Sequence, residues 1–389
     1  MDVDTYNFEE AFALLVKSLS TSAFIALDLE MTGINNPAAG RSGTWDDAPN
    51  DLPEIRYRKK RKAASSYGII QVGLCVFEPA AADPLAASAS THGVGSGAAF
   101  TARPFNFFVF PRPVNEPPDC YISPKLTLDS DAMHFCRCSG IDFGRWLTKG
   151  VPYLDRHGEE LLRTSLVRRL SPTAHGSADI DDFARNHAKN LDKGGSFRPF
   201  ASCQLRPAKT NQVLLAMQER RKGDKIVLEK RPGPLGGCRA PQVTMRNLGP
   251  EPMALDLWEA QERREIERVL AEHVGFRRVW RALLEARRPL ILHNGLLDLL
   301  FAYHWFEEPL PETLGEFRAA LQKNIPAGTH FFDTKWIASY TDIGRTLGHQ
   351  TGLEALVTAL DRQGRGVAPS IEFPEGFNRY AGPSNAFHE

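Results

Sequence analysis

The chain has 389 residues, 47 Lys and Arg against 47 Asp and Glu, and a hydrophobic fraction of 42%, enough apolar material for one large domain or two of ordinary size. With a formal net charge of zero, any polyanionic partner has to be met by a local basic patch rather than by a global field. The absence of a signal-peptide pattern or a bilayer-length apolar run leads us to expect a soluble intracellular protein, and the scattered Cys75, Cys120, Cys136, Cys138, Cys203 and Cys238 suggest reduced thiols rather than a disulfide framework or a zinc site.

In chain order, Phe8, Ala11, Phe12, Leu14 and Leu15 recur at helical spacing and predict a helix over Asn7 to Lys17. It leads into a strand-like run, Phe24 to Ile34, which delivers Asp28 and Glu30 and breaks at Gly33. Side chains alternate along a strand, so these two acids share a face. Two anions side by side on an apolar strand repel each other and lose hydration, and a divalent cation with oxygen ligands relieves both costs. A strand end whose acids simply face solvent is the alternative.

A Gly/Pro/Asn-rich loop comes next, then the basic run Arg56 to Lys62. That run reads either as a contact for phosphates or as a solvated loop or localisation signal. Strands are predicted at Gly68 to Phe77 and Phe105 to Phe110, with the Ala/Ser/Gly-rich Pro79 to Ala99 between them as a surface insertion. The first two strands are expected to pair antiparallel and open a mixed sheet.

Asp129 to Tyr153 is predicted to be helical in pieces, and Ser171 to Ser177 reads as a boundary. A central block of about Ala178 to Pro252 opens with a candidate helix, Ile180 to Leu191, and closes with the strand-like Lys225-Ile226-Val227-Leu228. Leu255 to Ala286 is predicted as one long charged helix. A short buried strand then ends at His293-Asn294, and a helix begins that carries Asp298 in its first turns. That order puts Asp298 near the C-terminal end of a strand, where open α/β sheets place their sites. An acid complementing a helix dipole is the competing reading.

Asp28, Glu30 and Asp298 together match the acidic set of RNase H-like exonucleases with Asp-Glu-Asp-Asp sites. Further tracts match in order: Tyr67 to Cys75, Phe105 to Pro111, Gly140 to Phe143, Gly150 to Leu154, Leu292 to Asp298, and Phe332-Asp333-Thr334-Lys335. With them the chain resembles the poly(A)-specific ribonuclease branch of the deadenylases. The resemblance implies an α/β, RNase H-like mixed β-sheet flanked by helices, its nuclease parts at 1–177 and 253–389. Between them, 178–252 would be a small α+β insertion domain of a degenerate Arg-x-x-x-His type, with Arg185-Asn186-His187 the nearest approach to that motif.

The same resemblance implies a 3′–5′ exoribonuclease that removes terminal nucleotides, typically adenylates, from single-stranded RNA. Two Mg²⁺ ions, or Mn²⁺ in their place, would sit on Asp28, Glu30 and Asp298, with a histidine as general base. Ile34, Asn294 and Lys335 fall on positions that contact the terminal nucleotide in the family. The expected partners are the 3′ end of single-stranded RNA, poly(A) first, and a second copy of the chain as a homodimer, with no membrane. The expected location is the nucleus and cytoplasm.

In that subclass the base and the last acid form His-x-x-x-x-Asp. His349 and Glu354 have the spacing, with Glu in place of Asp. Glu375-Gly376-Phe377, Tyr380 and Phe387-His388-Glu389 match the tract more closely, and in the family it runs on into a Gly-Tyr-Asp segment carrying the fourth acid. His388 is therefore the expected base. The sequence as given is expected to stop short of the fourth acid and to be weak or inactive. The alternatives are a pseudo-nuclease that binds RNA or protein, a DNA-directed exonuclease, and a small-RNA trimming enzyme on the same core.

Overall fold

The structure is a computed structural model, and the described residues are 1–35, 51–80, 100–114, 120–167, 226–231, 242–247, 254–342, 351–363 and 371–377. The chain divides into two units: Met1–Arg112, Pro124–Arg156 and Val274–Glu389 form the first, and Pro113–Ser123 with His157–His273 the second.

The first unit opens with β1 (Asp2–Val3) and α1 (Phe8–Thr21), which buries Phe8, Ala11, Leu15, Ser18 and Leu19 as one stripe. Strand β2 (Phe24–Met31) turns Ile25, Leu27, Leu29 and Met31 inward and leaves Asp28 and Glu30 on the other face. The basic run departs from the loop reading, because it lies on helix α2 (Pro53–Ala64). Tyr57, Ala63 and Ala64 are buried there, and the Tyr57 hydroxyl donates to Pro311 O at 2.7 Å. One anchored face is enough to hold a helix this rich in cations.

Strands β3 (Ile69–Pro79) and β4 (Phe100–Phe108) follow. β4 starts earlier than predicted, since Phe100 packs edge-on against Phe24 and Arg103 pairs with Glu78 on β3. Helices α3 (Ser130–Cys138) and α4 (Phe143–Lys149) each start at an aspartate cap, Asp129 and Asp142, whose side chains accept backbone N–H groups. They cover the outer face of the sheet, where Ile70, Phe108, Cys136 and Trp146 form a small second core.

Helix α5 (Arg156–Val167) leads into the second unit, which contains the antiparallel pair β5 (Ile226–Arg231) and β6 (Gln242–Asn247). Helix α6 (Ala254–Val274) joins α5 through Arg163 and Glu267, with N and O 2.9 Å apart. The expected insertion, 178–252, falls within this unit. The helix predicted at Ile180 to Leu191 and the Arg185–His187 tract lie outside the described residues.

The single helix expected from Leu255 to Ala286 is in fact two, α6 and α7 (Phe276–Ala286). Gly275 breaks it at φ +42°, with its backbone bridged to Tyr153; a β-carbon there would lie 1.9 Å from Pro152 O. The hydrophobic spacing carries across the break, so only the close approach of a distant segment reveals it.

The first unit then resumes with β7 (Leu290–Leu292), α8 (Leu296–Phe306), α9 (Leu314–Asn324), β8 (Phe331–Asp333), α10 (Thr334–Ser339), α11 (Leu353–Gln363) and β9 (Ile371–Glu372). The sheet runs β1-β4-β3-β2-β7-β8, with β9 also pairing β4. β3 is antiparallel to β2 and β4, while β7 and β8 run parallel to β2. This is the expected RNase H-like mixed sheet flanked by helices. Its inner face packs on α1, α7 and α8 through Leu15, Leu27, Phe107, Trp280, Phe301 and Phe306. Among the described residues no helix is long and apolar enough to cross a membrane.

Candidate active site

Asp28 and Glu30 stand on the outer face of β2, opposite Gly73 and Gln71 of β3. The register slips between Glu30 and Met31, a bulge that re-aims the strand end just past the second acid. Thr32 fixes that end. Its hydroxyl donates to Thr127 O at 2.6 Å and accepts the Gly68 N–H at 2.9 Å. Its own N–H donates to Gly68 O, and its carbonyl accepts Asp129 N–H. Gly33 then passes flat against Tyr67, so close that a β-carbon would lie 2.5 Å from the ring.

Asp298 arrives from the opposite direction. β7 ends at Leu292, Asn294 takes a left-handed φ of +56°, and α8 starts with Asp298 in its first turn. Asp298 is only 9% exposed, and its Oδ1 accepts the Leu29 N–H at 3.1 Å, which ties the helix to the strand between the two β2 acids.

The turn is held by a residue to which the sequence reading gave no role. Asp333, at the end of β8, accepts four backbone N–H groups. Its Oδ1 takes Asn294, Lys335 and Trp336 at 3.1, 2.9 and 3.1 Å, and its Oδ2 takes Gly295 at 3.0 Å. An aspartate just ahead of a helix is an N-cap signal, so half of this role was open to prediction; the half that grips a second turn was not. Beside it, the Thr334 hydroxyl donates to Leu292 O at 3.1 Å and lies 2.9 Å from His293 Nδ1. With the hydroxyl proton committed, Nδ1–H is the donor in the second contact.

The acids are electrostatically coupled, with Asp28 at the centre of the coupling. Burial first, then the charges of Asp28 and Asp298, push Glu30 up to about 7. Burial and Asp28 push Asp298 up to about 7 as well, with Asp333 adding to the rise and backbone N–H groups opposing it. Asp28 is exposed by area, yet the loss of hydration raises its pKa too, opposed by the Leu29 N–H. Among the described residues no group of three or more His, Cys, Asp or Glu side chains converges tightly enough to cage a metal ion. The chemistry of the donor set is nevertheless that of a hard cation site: carboxylate oxygens only, and more negative charge than the surroundings compensate.

Of the other expected site residues, Ile34 is exposed just past Gly33, Asn294 is exposed on the β7–α8 turn, and Lys335 is half-buried beside Asp333. His388 lies outside the described residues, as does the competing His349. Glu354 is exposed in the first turn of α11. Several cations of α2 are engaged within the fold: Lys59 with Asp51, and Arg61 with Glu312 and Leu310 O.

The model for the CAF1 family ribonucleases matches residues 3–389. The chain is 24% identical over 421 residues to the poly(A)-specific ribonuclease PARN of Xenopus laevis, an alignment covering 100% of this chain and 60% of that protein. It is 26% identical over 412 residues to PARN of Danio rerio, covering 100% and 57%. The chain thus spans about three fifths of the length of these relatives. The solved structure of S. pombe Pop2p, in an Mg²⁺- and Mn²⁺-bound form, aligns at a TM-score of 0.37 and 14% identity, covering 92% of this chain and 88% of that one.

Proposed function

The chain belongs to the CAF1 family of ribonucleases, and from that we propose that it is a divalent-metal-dependent 3′–5′ exoribonuclease that shortens single-stranded RNA, with poly(A) as its substrate. The carrying observation is the meeting of Asp28 and Glu30 with Asp298, from elements far apart in sequence, near enough that Asp28 raises the pKa of both other acids and Asp298 raises that of Glu30. A core needs no such arrangement, since apolar groups would pack there at lower cost.

On this reading the three carboxylates are the protein's oxygen ligands for two Mg²⁺ ions, with Mn²⁺ able to replace them. Bound there, the ions supply charge that helps a water lose its proton and that neutralises the leaving 3′-oxyanion. Asp298 is pre-aimed by its bond to Leu29 N–H, and Glu30 by the bulge behind it. Asn294, Lys335 and Ile34 are assigned to the terminal nucleotide, and His388 to the proton of the attacking water. A homodimer belongs to the same proposal and is checked by sedimentation at several concentrations.

The test is single-turnover trimming of 5′-labelled oligo(A), with protein in excess so that slow cleavage is visible. We expect a Mg²⁺-dependent ladder of single-nucleotide steps, and no ladder from Asp28→Ala although it still binds the RNA. A wild-type chain that leaves the RNA intact, or a ladder that persists in Asp28→Ala, overturns the proposal.

A further inference from the structure

Beyond the three acids, Trp336 on α10 and Tyr340, which caps the C-terminal end of that helix, stand out. Trp336 is 63% exposed and Tyr340 73%, and their ring centroids are 4.8 Å apart at an interplanar angle of 41°. Trp146 and Trp280, by contrast, are buried, and Trp305 is half-buried with its indole N–H donating to Tyr67 O. That ring contact, across the C-terminal end of α10, makes the two a single aromatic surface. Large apolar rings left open to water in a contiguous patch mark an interaction site more often than a core.

The position of the patch selects its occupant. The backbone N–H of Trp336 donates to Asp333 Oδ1, the same oxygen that takes the N–H of Asn294 on the β7–α8 turn. Asp333 is in turn close enough to Asp298 to add to its pKa rise. One carboxylate therefore spans the start of α10 and the loop leading to the catalytic acid. Lys335, a cation suited to a phosphate, falls between Asp333 and Trp336 in sequence, its N–H also held by Asp333. A cation followed by open aromatic faces is how proteins hold successive nucleotides of an unpaired strand.

We propose that Trp336 and Tyr340 form a stacking platform for a base of single-stranded RNA upstream of the 3′-terminal nucleotide. This rests on the ribonuclease reading above. The terminal nucleotide lies at the acids, and the platform holds the strand behind it, so its contribution appears only when the RNA is long enough to reach α10. Stacking is tolerant of base identity, so the platform serves retention of the strand rather than choice of adenine.

The test compares wild type, Trp336→Ala, Tyr340→Ala and the conservative Trp336→Phe on an oligo(A) of about twelve nucleotides and on a dinucleotide too short to leave the site. On the long RNA, each alanine variant is expected to raise KM by about 5- to 100-fold with kcat nearly unchanged, and Trp336→Phe to restore most of the loss. On the dinucleotide all four proteins should be alike. Long RNA should also quench tryptophan fluorescence in the wild type and markedly less in Trp336→Phe. If the wild type trims RNA and the alanine variants keep its KM on the long substrate, the platform is refuted while the nuclease reading stands, and the patch is then a surface for a protein partner. Equal kcat losses on both lengths assign the rings a structural role and refute it too. A wild type that neither binds nor trims RNA removes both readings.

Discussion

Replacing Asp333 by asparagine keeps the shape of the side chain and removes one acceptor. Asparagine caps helices about as well as aspartate, so α10 itself should be little affected. With the amide oxygen in the place of Oδ1, the bonds to Asn294, Lys335 and Trp336 survive. The amide nitrogen then faces the N–H of buried Gly295, which now donates to Oδ2 at 3.0 Å, and two donors oppose each other. Leaving such a group without an acceptor costs about 1–3 kcal/mol. Asp333→Ala loses the cap as well, adding about 0.5–2 kcal/mol. Urea unfolding should give that order, wild type above Asn above Ala, and amide exchange at Gly295 should accelerate while the core strands stay protected. The charge lost in Asp333→Asn should also lower the Asp298 pKa from about 7, since Asp333 contributes to that rise. An Asn variant within about 0.5 kcal/mol of wild type and with Gly295 exchange unchanged would refute the reasoning, because a cost that small lies outside the range for an orphaned buried donor.

The raised carboxyls set a pH dependence. Glu30 and Asp298, at about 7 in the fold against ordinary values of 4.5 and 3.8, hold protons that the unfolded chain has released, so stability should fall as pH rises through that window. His304, lowered by burial to about 4, acts in the opposite sense and loses stability as pH falls below its ordinary 6.5. The difference in Tm between wild type and Asp298→Asn therefore isolates the acids, and parallel profiles from pH 5 to 8 would discard this account. Added Mg²⁺ should raise Tm most at the alkaline end, where the acids are ionised. Gly275→Ala, forced to φ +42° against Pro152 O, should cost about 2 kcal/mol or more, and any gain in Tm contradicts the cause given for the helix break. Glu307 is 2% exposed, pairs with Arg156 and Arg277 and accepts the Trp280 indole N–H, so Glu307→Ala should cost about 3–5 kcal/mol in urea unfolding. A loss under about 1 kcal/mol would show that the buried Arg277 finds another partner.

The sheet and its acids were legible because burial of one face leaves a period-two trace, Ile25, Leu27, Leu29 and Met31 against Asp28 and Glu30. Asp298 was legible from the glycine that starts its helix and the apolar run before it. What stayed hidden depends on contacts distant in sequence. Gly275 looks like any glycine in a charged helix until Pro152 is brought beside it. The helix under the basic run exists because Tyr57 finds Pro311, a contact that no local pattern announces. The fourfold grip of Asp333 needs β7 and β8 side by side before its second pair of donors comes within reach. Strand β6, six residues with only Val243 and Met245 apolar, is short enough that its pairing with β5 is what makes it plain.

The bridge between Tyr153 and Gly275 has a meaning beyond the helix break. Phe276 N–H also donates to Pro152 O at 2.8 Å, so the points where the first unit releases the chain and takes it back are stitched together. The intervening His157–His273 is, for the sheet that carries the acids, a long excursion that starts and ends at one place. Doubling the length of such an excursion costs only about 0.6 kcal/mol in closure entropy. Evolution can therefore treat that stretch as a cassette, enlarging, trimming or exchanging it while Asp28, Glu30 and Asp298 keep their alignment.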